Sequence, residues 1–202
     1  MSDTAADQIA PLRTFVRGFT ELVGSTTDEE TLLSRGGVLL AELVRDDAWL
    51  PDEYATARPD RYAQYLLHCD PLERFSMVSF VWGPGQRTPV HNHTVWGLVG
   101  VLRGTEQSEE YELRDGLPVG PGESALMSRG EVDAVSPTIG DWHRVTNASD
   151  DVSISIHVYG GNVGALHRRK LDENSGRLVD FVSGYDNAAT PNLWGRPVPT
   201  PC

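Results

Sequence analysis

From Arg74 onward, the sequence is divided into short apolar or alternating segments of strand length, each followed by Gly, Pro or Asp. These segments are RFSMVSFVW, TVWGLVGVLRG, EQSEEYEL, ESALMSRG, DWHRVTN and VSISIHVYG. Short β-rich runs separated by turn residues predict a sandwich or a barrel. The later segment KLDENSGRLVDFV predicts a hairpin that turns at Asn174-Ser175-Gly176. We therefore expect a mainly β fold for this part of the chain.

The N-terminal part of the sequence has helical spacing instead. Apolar residues recur every three or four positions over 8–24, and a second helix is predicted over 28–45, with Thr27 or Asp28 as its N-cap. A third, short helix is predicted after Pro51. The expected organisation is a single domain with three parts, namely a helical segment over 1–70, a β-barrel over 71–185 and an irregular tail over 186–202.

Composition and charge argue against several classes of partner. The formal net charge is -12, which disfavours nucleic acid and anionic membrane surfaces. The two cysteines, Cys69 and Cys202, do not form a disulfide framework. The N-terminus lacks the pattern of a signal peptide, and we find no apolar run long enough to span a membrane. We therefore expect a cytoplasmic protein, with its oligomeric state left open.

Two histidines one residue apart, His91 and His93, lie in an apolar segment rich in valine. In an extended chain their side chains point to the same face, with Asn92 on the other, so the pair could supply half of a metal site. His143 follows a Gly140-Asp141 turn in a predicted strand and is the candidate third ligand. The alternative is that these imidazoles only bind polar groups inside the barrel.

A second set of polar residues alternates with aliphatic ones in SISIHVY. Ser155, His157 and Tyr159 share one face of the predicted strand, opposite Ile156 and Val158. A hydroxyl, an imidazole and a phenol in a row can form a hydrogen-bonded chain that positions or moves a proton. A half-exposed strand without such a role is the alternative.

The spacing around these histidines resembles the two motifs of the cupin superfamily. The first motif comprises Gly85, His91, His93, Gly97 and Gly104, and the second comprises Pro137, Gly140, His143 and Asn147. The resemblance implies a cupin double-stranded β-barrel that holds a metal ion in its mouth. Most metal-binding cupins have Glu at the position of Gly97, so the ligand set here is three neutral imidazoles without a carboxylate. Such a site favours an anionic ligand from outside the protein, for example a thiolate.

A Ser-x-His-x-Tyr pattern lies downstream of the three-histidine cupin site, at Ser155, His157 and Tyr159. This combination resembles that of the thiol dioxygenases of the cysteine dioxygenase superfamily. The segments RFSMVSFVWGPGQRTPVHNHTVWGLVGVLRG and SIHVYGGNVGALHRR are most similar to the bacterial 3-mercaptopropionate dioxygenases. The resemblance implies an Fe(II) enzyme that converts a small thiol carboxylate and O2 to the sulfinate. Mammalian-type cysteine dioxygenases crosslink a Cys to the Tyr. This chain has Gly97-Leu98 in that region, so Tyr159 is expected to be unmodified.

The resemblance also indicates how the substrate carboxylate is held. Arg168 matches the arginine that the mercaptopropionate branch places after the Ser-His-Tyr strand, and a guanidinium can bind a carboxylate through two hydrogen bonds. Where the cysteine branch has its arginine, this chain has Gln64, with Arg61 nearby, and Arg87 is a further candidate. L-Cysteine as the substrate and a non-catalytic metal-binding sensor remain the alternatives. The tryptophans of this region, Trp82, Trp96 and Trp142, are expected to serve packing.

Overall fold

The N-terminal segment forms two helices in the computed structural model, which describes residues 8–195. Helix α1 spans Ala10–Ser25 and helix α2 spans Glu29–Leu43, so both predicted helices are confirmed. The N-cap of α2 is Asp28, whose carboxylate accepts a hydrogen bond from the Thr31 amide at 2.9 Å. Within the described residues, no helix is both long and apolar enough to cross a membrane.

The rest of the fold is built from short strands. They are β1 Ala63–Cys69, β2 Ser76–Trp82, β3 Gly97–Arg103, β4 Thr105–Glu110, β5 Glu112–Arg114, β6 Leu117–Val119, β7 Ser124–Ser128, β8 Val132–Val135, β9 His143–Asn147, β10 Ser153–Tyr159, β11 Arg168–Asp172 and β12 Arg177–Phe181. The predicted hairpin is confirmed as the antiparallel pair β11 and β12. Its turn includes Gly176 with a φ of +67°, a conformation that glycine adopts without strain.

Two antiparallel sheets enclose the barrel interior. The first has the strand order β1-β2-β10-β3-β8. The second contains β7-β4-β9, and isolated bridges from Arg87 and His91 connect β9 to β11 through the segment 87–91. The sheets meet where the Asn147 side chain on β9 donates a hydrogen bond to the Trp82 carbonyl on β2 at 3.0 Å. The predicted fold class, a mainly β cupin barrel behind an N-terminal helical segment, is confirmed.

The expected helical segment over 1–70 is wrong in its last part. The third helix is reduced to a 3₁₀ turn at Asp52–Tyr54, and Ala63–Cys69 forms the edge strand β1. The reason is a period of two in this segment, in which Ala63, Tyr65 and Leu67 are buried while the residues between them are partly exposed. Residues 186–195 of the predicted irregular tail contain no helix or strand, and the remainder lies outside the described residues, as does Cys202.

The central strands of the first sheet, β2, β10 and β3, are buried on both faces because an apolar core shared with the helices covers their outer side. Along β10, Ile154, Ile156 and Val158 belong to the apolar core formed with the two helices, and all seven residues of the strand are buried. Gly36 in α2 allows a close approach, since a Cβ at this position would lie 2.8 Å from the Phe19 ring and 2.9 Å from Leu98. The inner face of β10 is thereby directed into the barrel, so the alternative of a half-exposed strand is wrong.

Candidate metal centre and substrate cavity

Backbone pairing places two of the three candidate metal ligands side by side. The His91 amide donates to the His143 carbonyl at 3.0 Å, and the His143 amide donates back to the His91 carbonyl at 3.1 Å. On the other side of this segment, Asn92 exchanges hydrogen bonds with the backbone of Arg169, so the Asn92 side chain points away from the histidines, as predicted. The segment around His91 is therefore held between β9 and β11.

The structure brings His91, His93 and His143 together as a buried group. The potential ligand atoms of the three side chains all lie within 4.8 Å of one another, and the ring centroids are 4.8–4.9 Å apart. Burial, and then the proximity of the other imidazoles, lowers the pKa of His91 and His143 well below its ordinary value. The rings are thus neutral at physiological pH, which is the form of histidine that binds metal.

Hydrogen bonds fix which nitrogen two of the imidazoles present. The Nδ1 of His91 donates to the Pro89 carbonyl at 3.0 Å, and the Nδ1 of His93 donates to the Asp141 carboxylate at 3.1 Å. Both partners accept, so Nε2 is left as the free ligand atom in each ring. The His93 Nε2 is buried and has no hydrogen-bond partner within the described structure. A buried, unprotonated nitrogen without a partner fits a metal ligand, and the residues present therefore fit a bound divalent ion.

The ring of Tyr159 occupies the space that a side chain at position 97 would need. A Cβ on Gly97 would lie 2.8 Å from the Tyr159 ring and 3.0 Å from Val135. The Tyr159 ring also stacks on His93, with ring centroids 5.2 Å apart and an interplanar angle of 19°. Gly97 therefore offers no carboxylate to the site and makes room for a phenol beside the candidate metal ligands.

Ser155, His157 and Tyr159 form a continuous hydrogen-bonded chain, which we call the relay. The Ser155 hydroxyl lies 2.9 Å from the His157 Nε2, and the His157 Nδ1 lies 2.7 Å from the Tyr159 hydroxyl. Trp82 is more than a packing residue, since its indole N–H donates to the Ser155 hydroxyl at 3.2 Å. Burial raises the pKa of Tyr159, so the phenol stays protonated, and burial lowers the pKa of His157, so the imidazole stays neutral.

Arg168 is buried beside a cavity of about 310 Å³ that reaches the metal centre at His91. Its guanidinium donates to the Ser183 hydroxyl at 2.7 Å and lies 4.7 Å from the centre of the Phe181 ring. The Arg168 Nε is buried and has no hydrogen-bond partner within the described structure. Gln64 lines the same cavity. The two predicted substrate-binding residues thus line one cavity together with the candidate metal ligand His91.

The other arginine candidates are already engaged. Arg61 lines the cavity but forms an ion pair with Asp186, and Arg87 is exposed and pairs with Glu173 at 3.2 Å. Asp186 thereby ties Arg61 to the β1 backbone, where the same carboxylate accepts from the Gln64 amide at 2.8 Å. Arg87 is not among the residues that line this cavity.

Sequence reasoning missed two buried acids near the site. The sequence predicts Asp141 only as a turn residue, but its carboxylate accepts hydrogen bonds from the His93 ring and from the backbone amides of His93 and Thr94. Glu106 on β4 is buried inside the barrel, although the local sequence TEQSEE is typical of a solvated strand. The position of Asp141 two residues before His143 was an available signal for a partner of the metal ligands, whereas nothing local distinguishes Glu106 from its acidic neighbours.

No family model matches the chain. Solved structures that are similar include a Klebsiella pneumoniae protein with a double-stranded β-helix domain. The two proteins are 20% identical, the match covers 56% of this chain and 89% of the Klebsiella chain, and the TM-score is 0.46. An RmlC-like cupin from Desulfovibrio desulfuricans is 24% identical over 54% of this chain and 91% of its own, with a TM-score of 0.41. An oxalate oxidase in complex with the substrate analogue glycolate is 18% identical over 57% of this chain and 61% of its own, with a TM-score of 0.43.

Proposed function

We propose that this protein is a non-haem iron thiol dioxygenase that converts a small thiol carboxylate and O2 to the sulfinate, with 3-mercaptopropionate preferred. The observation that supports the proposal is the meeting of three groups at one buried site: the neutral three-histidine cluster, the relay that ends in Tyr159, and the Arg168 guanidinium. Each group has a separate task in thiol oxidation, and a metal-binding sensor would need only the first.

His91, His93 and His143 would hold Fe(II), with the carboxylate of Asp141 keeping the His93 ring in the tautomer that presents Nε2. Bound Fe(II) would supply a Lewis acid that favours the thiolate form of the substrate and a centre at which O2 is activated. Because the three imidazoles are neutral, the protein leaves the charge of a divalent ion to be balanced by the substrate. An anionic sulfur ligand is suited to that role.

The overall reaction needs no further reductant. A thiolate and one O2 give one sulfinate, so sulfur loses four electrons, O2 gains four, two S–O bonds form and the O–O bond breaks. The proton of the thiol leaves when the thiolate forms. Tyr159 is the protonated group closest to the metal ligands in the relay, and its O–H is suited to donate a hydrogen bond to the reacting oxygen or sulfur.

The cavity favours an acid without an amino group. Three of its lining residues are basic, namely Arg61, which is paired with Asp186, Arg168 and Lys170, and none of its described lining residues is Asp or Glu. A substrate carboxylate would satisfy the buried guanidinium of Arg168, whose Nε lacks a partner. The ammonium group of cysteine would lie beside these cations without a carboxylate to bind it, which costs affinity. L-Cysteine is therefore the second candidate substrate.

The proposal is tested by O2 consumption after anaerobic loading with Fe(II), with 3-mercaptopropionate, L-cysteine and cysteamine compared side by side. We expect the highest kcat/KM for 3-mercaptopropionate and the lowest for cysteamine, which has no carboxylate. Arg168→Ala should lower kcat/KM most for the two carboxylic acids, 3-mercaptopropionate and L-cysteine. The difference in kcat/KM between these acids and cysteamine should therefore become smaller. Arg169→Ala is the matched control, because this neighbour on β11 is exposed.

A ranking led by L-cysteine, or one unchanged by Arg168→Ala, would reject the substrate assignment while leaving thiol oxidation in place. Stoichiometric metal binding without O2 uptake for any of the three thiols would favour the metal-binding sensor instead.

A further inference from the structure

The inner face of β4 carries a carboxyl group, Glu106, that the proposed reaction does not use. Glu106 has only 2% of its surface exposed, and neither of its carboxyl oxygens has a well-formed hydrogen bond within the described structure. The hydroxyls of Ser153 and Ser155 on β10 lie next to it across the barrel. Because Ser155 is the first residue of the relay, Glu106 stands at the end of the relay that is opposite Tyr159.

Among the described residues, the groups that surround Glu106 are uncharged. Its register partners are Met127 on β7 and Asn147 on β9, and its neighbours on β10 are the two serines. The titratable group connected to it is His157, through Ser155. Burial raises the pKa of Glu106 to about 8, and the serine hydroxyls oppose this rise. The group is thus a neutral carboxylic acid at neutral pH and an anion in mildly alkaline solution.

The ionisation of Glu106 determines which member of each hydrogen bond in the relay is the donor, because Ser155 has a single proton to donate. When Glu106 is neutral, its O–H can donate to Ser155, Ser155 donates to the His157 Nε2, and the His157 Nδ1–H donates to Tyr159. The Tyr159 proton is then free to point toward the metal ligands. The Trp82 indole, which only donates, occupies an acceptor position on Ser155 in this state.

When Glu106 is ionised, the same hydrogen bonds run the other way. Ser155 donates to the carboxylate, the His157 Nε2–H donates to Ser155, and the Tyr159 O–H donates to the His157 Nδ1. The two states differ by one proton. On ionisation, Tyr159 releases its own proton into the cavity and receives the proton of His157. His157 receives the proton of Ser155, and Ser155 receives the proton of Glu106.

We propose that Glu106 is the positioning residue that sets the direction of the relay, so that Tyr159 donates a hydrogen bond at the metal centre only while Glu106 is protonated. The reversal itself requires the contacts of the relay and a hydrogen bond that Glu106 and its neighbour Ser155 form in both states. Its effect on turnover rests on the proposed thiol dioxygenase function.

The test is the tautomer of His157, followed by ¹⁵N NMR of the metal-free protein between pH 6 and pH 10. We expect Nδ1–H below the titration of Glu106 and Nε2–H above it, with a midpoint near pH 8. In Glu106→Gln, which cannot ionise, the transition should be lost. Glu109→Gln, on the same strand but partly exposed, should retain it and serves as the control.

Turnover of the Fe(II)-loaded protein provides the second measurement. The wild type should lose kcat at least tenfold between pH 7 and pH 9.5, and this loss should be much smaller in Glu106→Gln. A single His157 tautomer across the titration of the wild type would overturn the inference, even if the variant failed to fold. Reversal of the tautomer in a protein without O2 uptake would reject the proposed function and leave the relay assignment standing.

Discussion

Replacing Glu106 with Gln should change how the stability of the protein depends on pH. The pKa of Glu106 is raised from 4.5 to about 8 by burial, so the folded state keeps a proton that the unfolded state releases. The stability contributed by the protonated acid is fully present below pH 4.5 and is lost as the pH rises to about 8. Glu106→Gln has no such group, and its stability should not fall for this reason.

The size of the effect follows from the difference between the two pKa values. One pH unit corresponds to about 1.4 kcal/mol, so the free energy of unfolding of the wild type should fall relative to that of the variant by about this amount per unit. Between pH 4.5 and pH 8 the accumulated difference is ~5 kcal/mol, from the raised pKa of this one group. Taking the difference between two proteins removes the contribution of every other titrating residue that the substitution leaves unchanged.

The assay is urea unfolding of metal-free protein at pH 5, 6, 7 and 8, with tryptophan fluorescence and circular dichroism as probes. Any free-energy cost of burying the Gln amide is constant, so it shifts the free energy of unfolding of Glu106→Gln equally at every pH. The quantity to compare is therefore the slope of the free energy of unfolding against pH. For Glu109→Gln, the plot of the free energy of unfolding against pH should be parallel to that of the wild type. Parallel curves for wild type and Glu106→Gln would show that the Glu106 carboxyl is ionised or hydrated in the folded protein, and the reasoning would be refuted.

Four further substitutions test other parts of the site. His91→Ala or His143→Ala should remove most of the bound iron and all activity. Full metal content by elemental analysis in either variant would contradict the ligand assignment. Tyr159→Phe should retain iron, because the phenol is not expected to be a ligand. It should lower turnover by a factor on the order of 10²–10⁴, because the proposed role of the Tyr159 hydroxyl is that of an acid-base group. Peptide mapping of the wild type should show no crosslink at this residue. Gly97→Ala should cost about 1–3 kcal/mol in urea unfolding because its Cβ would lie 2.8 Å from the Tyr159 ring. Wild-type stability in that variant would contradict the observed packing.

Much of this site could be predicted because its pattern is local. The alternation in SISIHVY places Ser155, His157 and Tyr159 on one face whatever the strand contacts, and the structure connects them as a hydrogen-bonded chain. The one-residue spacing of His91 and His93 fixed their common direction in the same way. Capping of α2 by Asp28 and the turn at Gly176 are equally local in origin.

Other features depend on contacts between distant parts of the chain and could not be derived from local pattern. The edge strand β1 was mistaken for helix because five residues of alternation are a weak signal beside the preceding helical segments. Arg168 lies in a charged segment typical of an exposed surface, but in the fold it is buried and contacts Phe181 and Ser183, which are more than ten residues away in the sequence. The environment of Glu106 is created by β10, which follows it by almost fifty residues.

In the proposed function, the three-histidine site directs both atoms of O2 to the sulfur of a thiol carboxylate. This outcome is tested most directly by incubating the Fe(II)-loaded protein with 3-mercaptopropionate under ¹⁸O2 and analysing the product by mass spectrometry. We predict one O2 consumed per thiol and a sulfinate that carries two labelled oxygens. A disulfide as the main product, a sulfinate with an unlabelled oxygen, or no O2 uptake by fully loaded protein would contradict the claim.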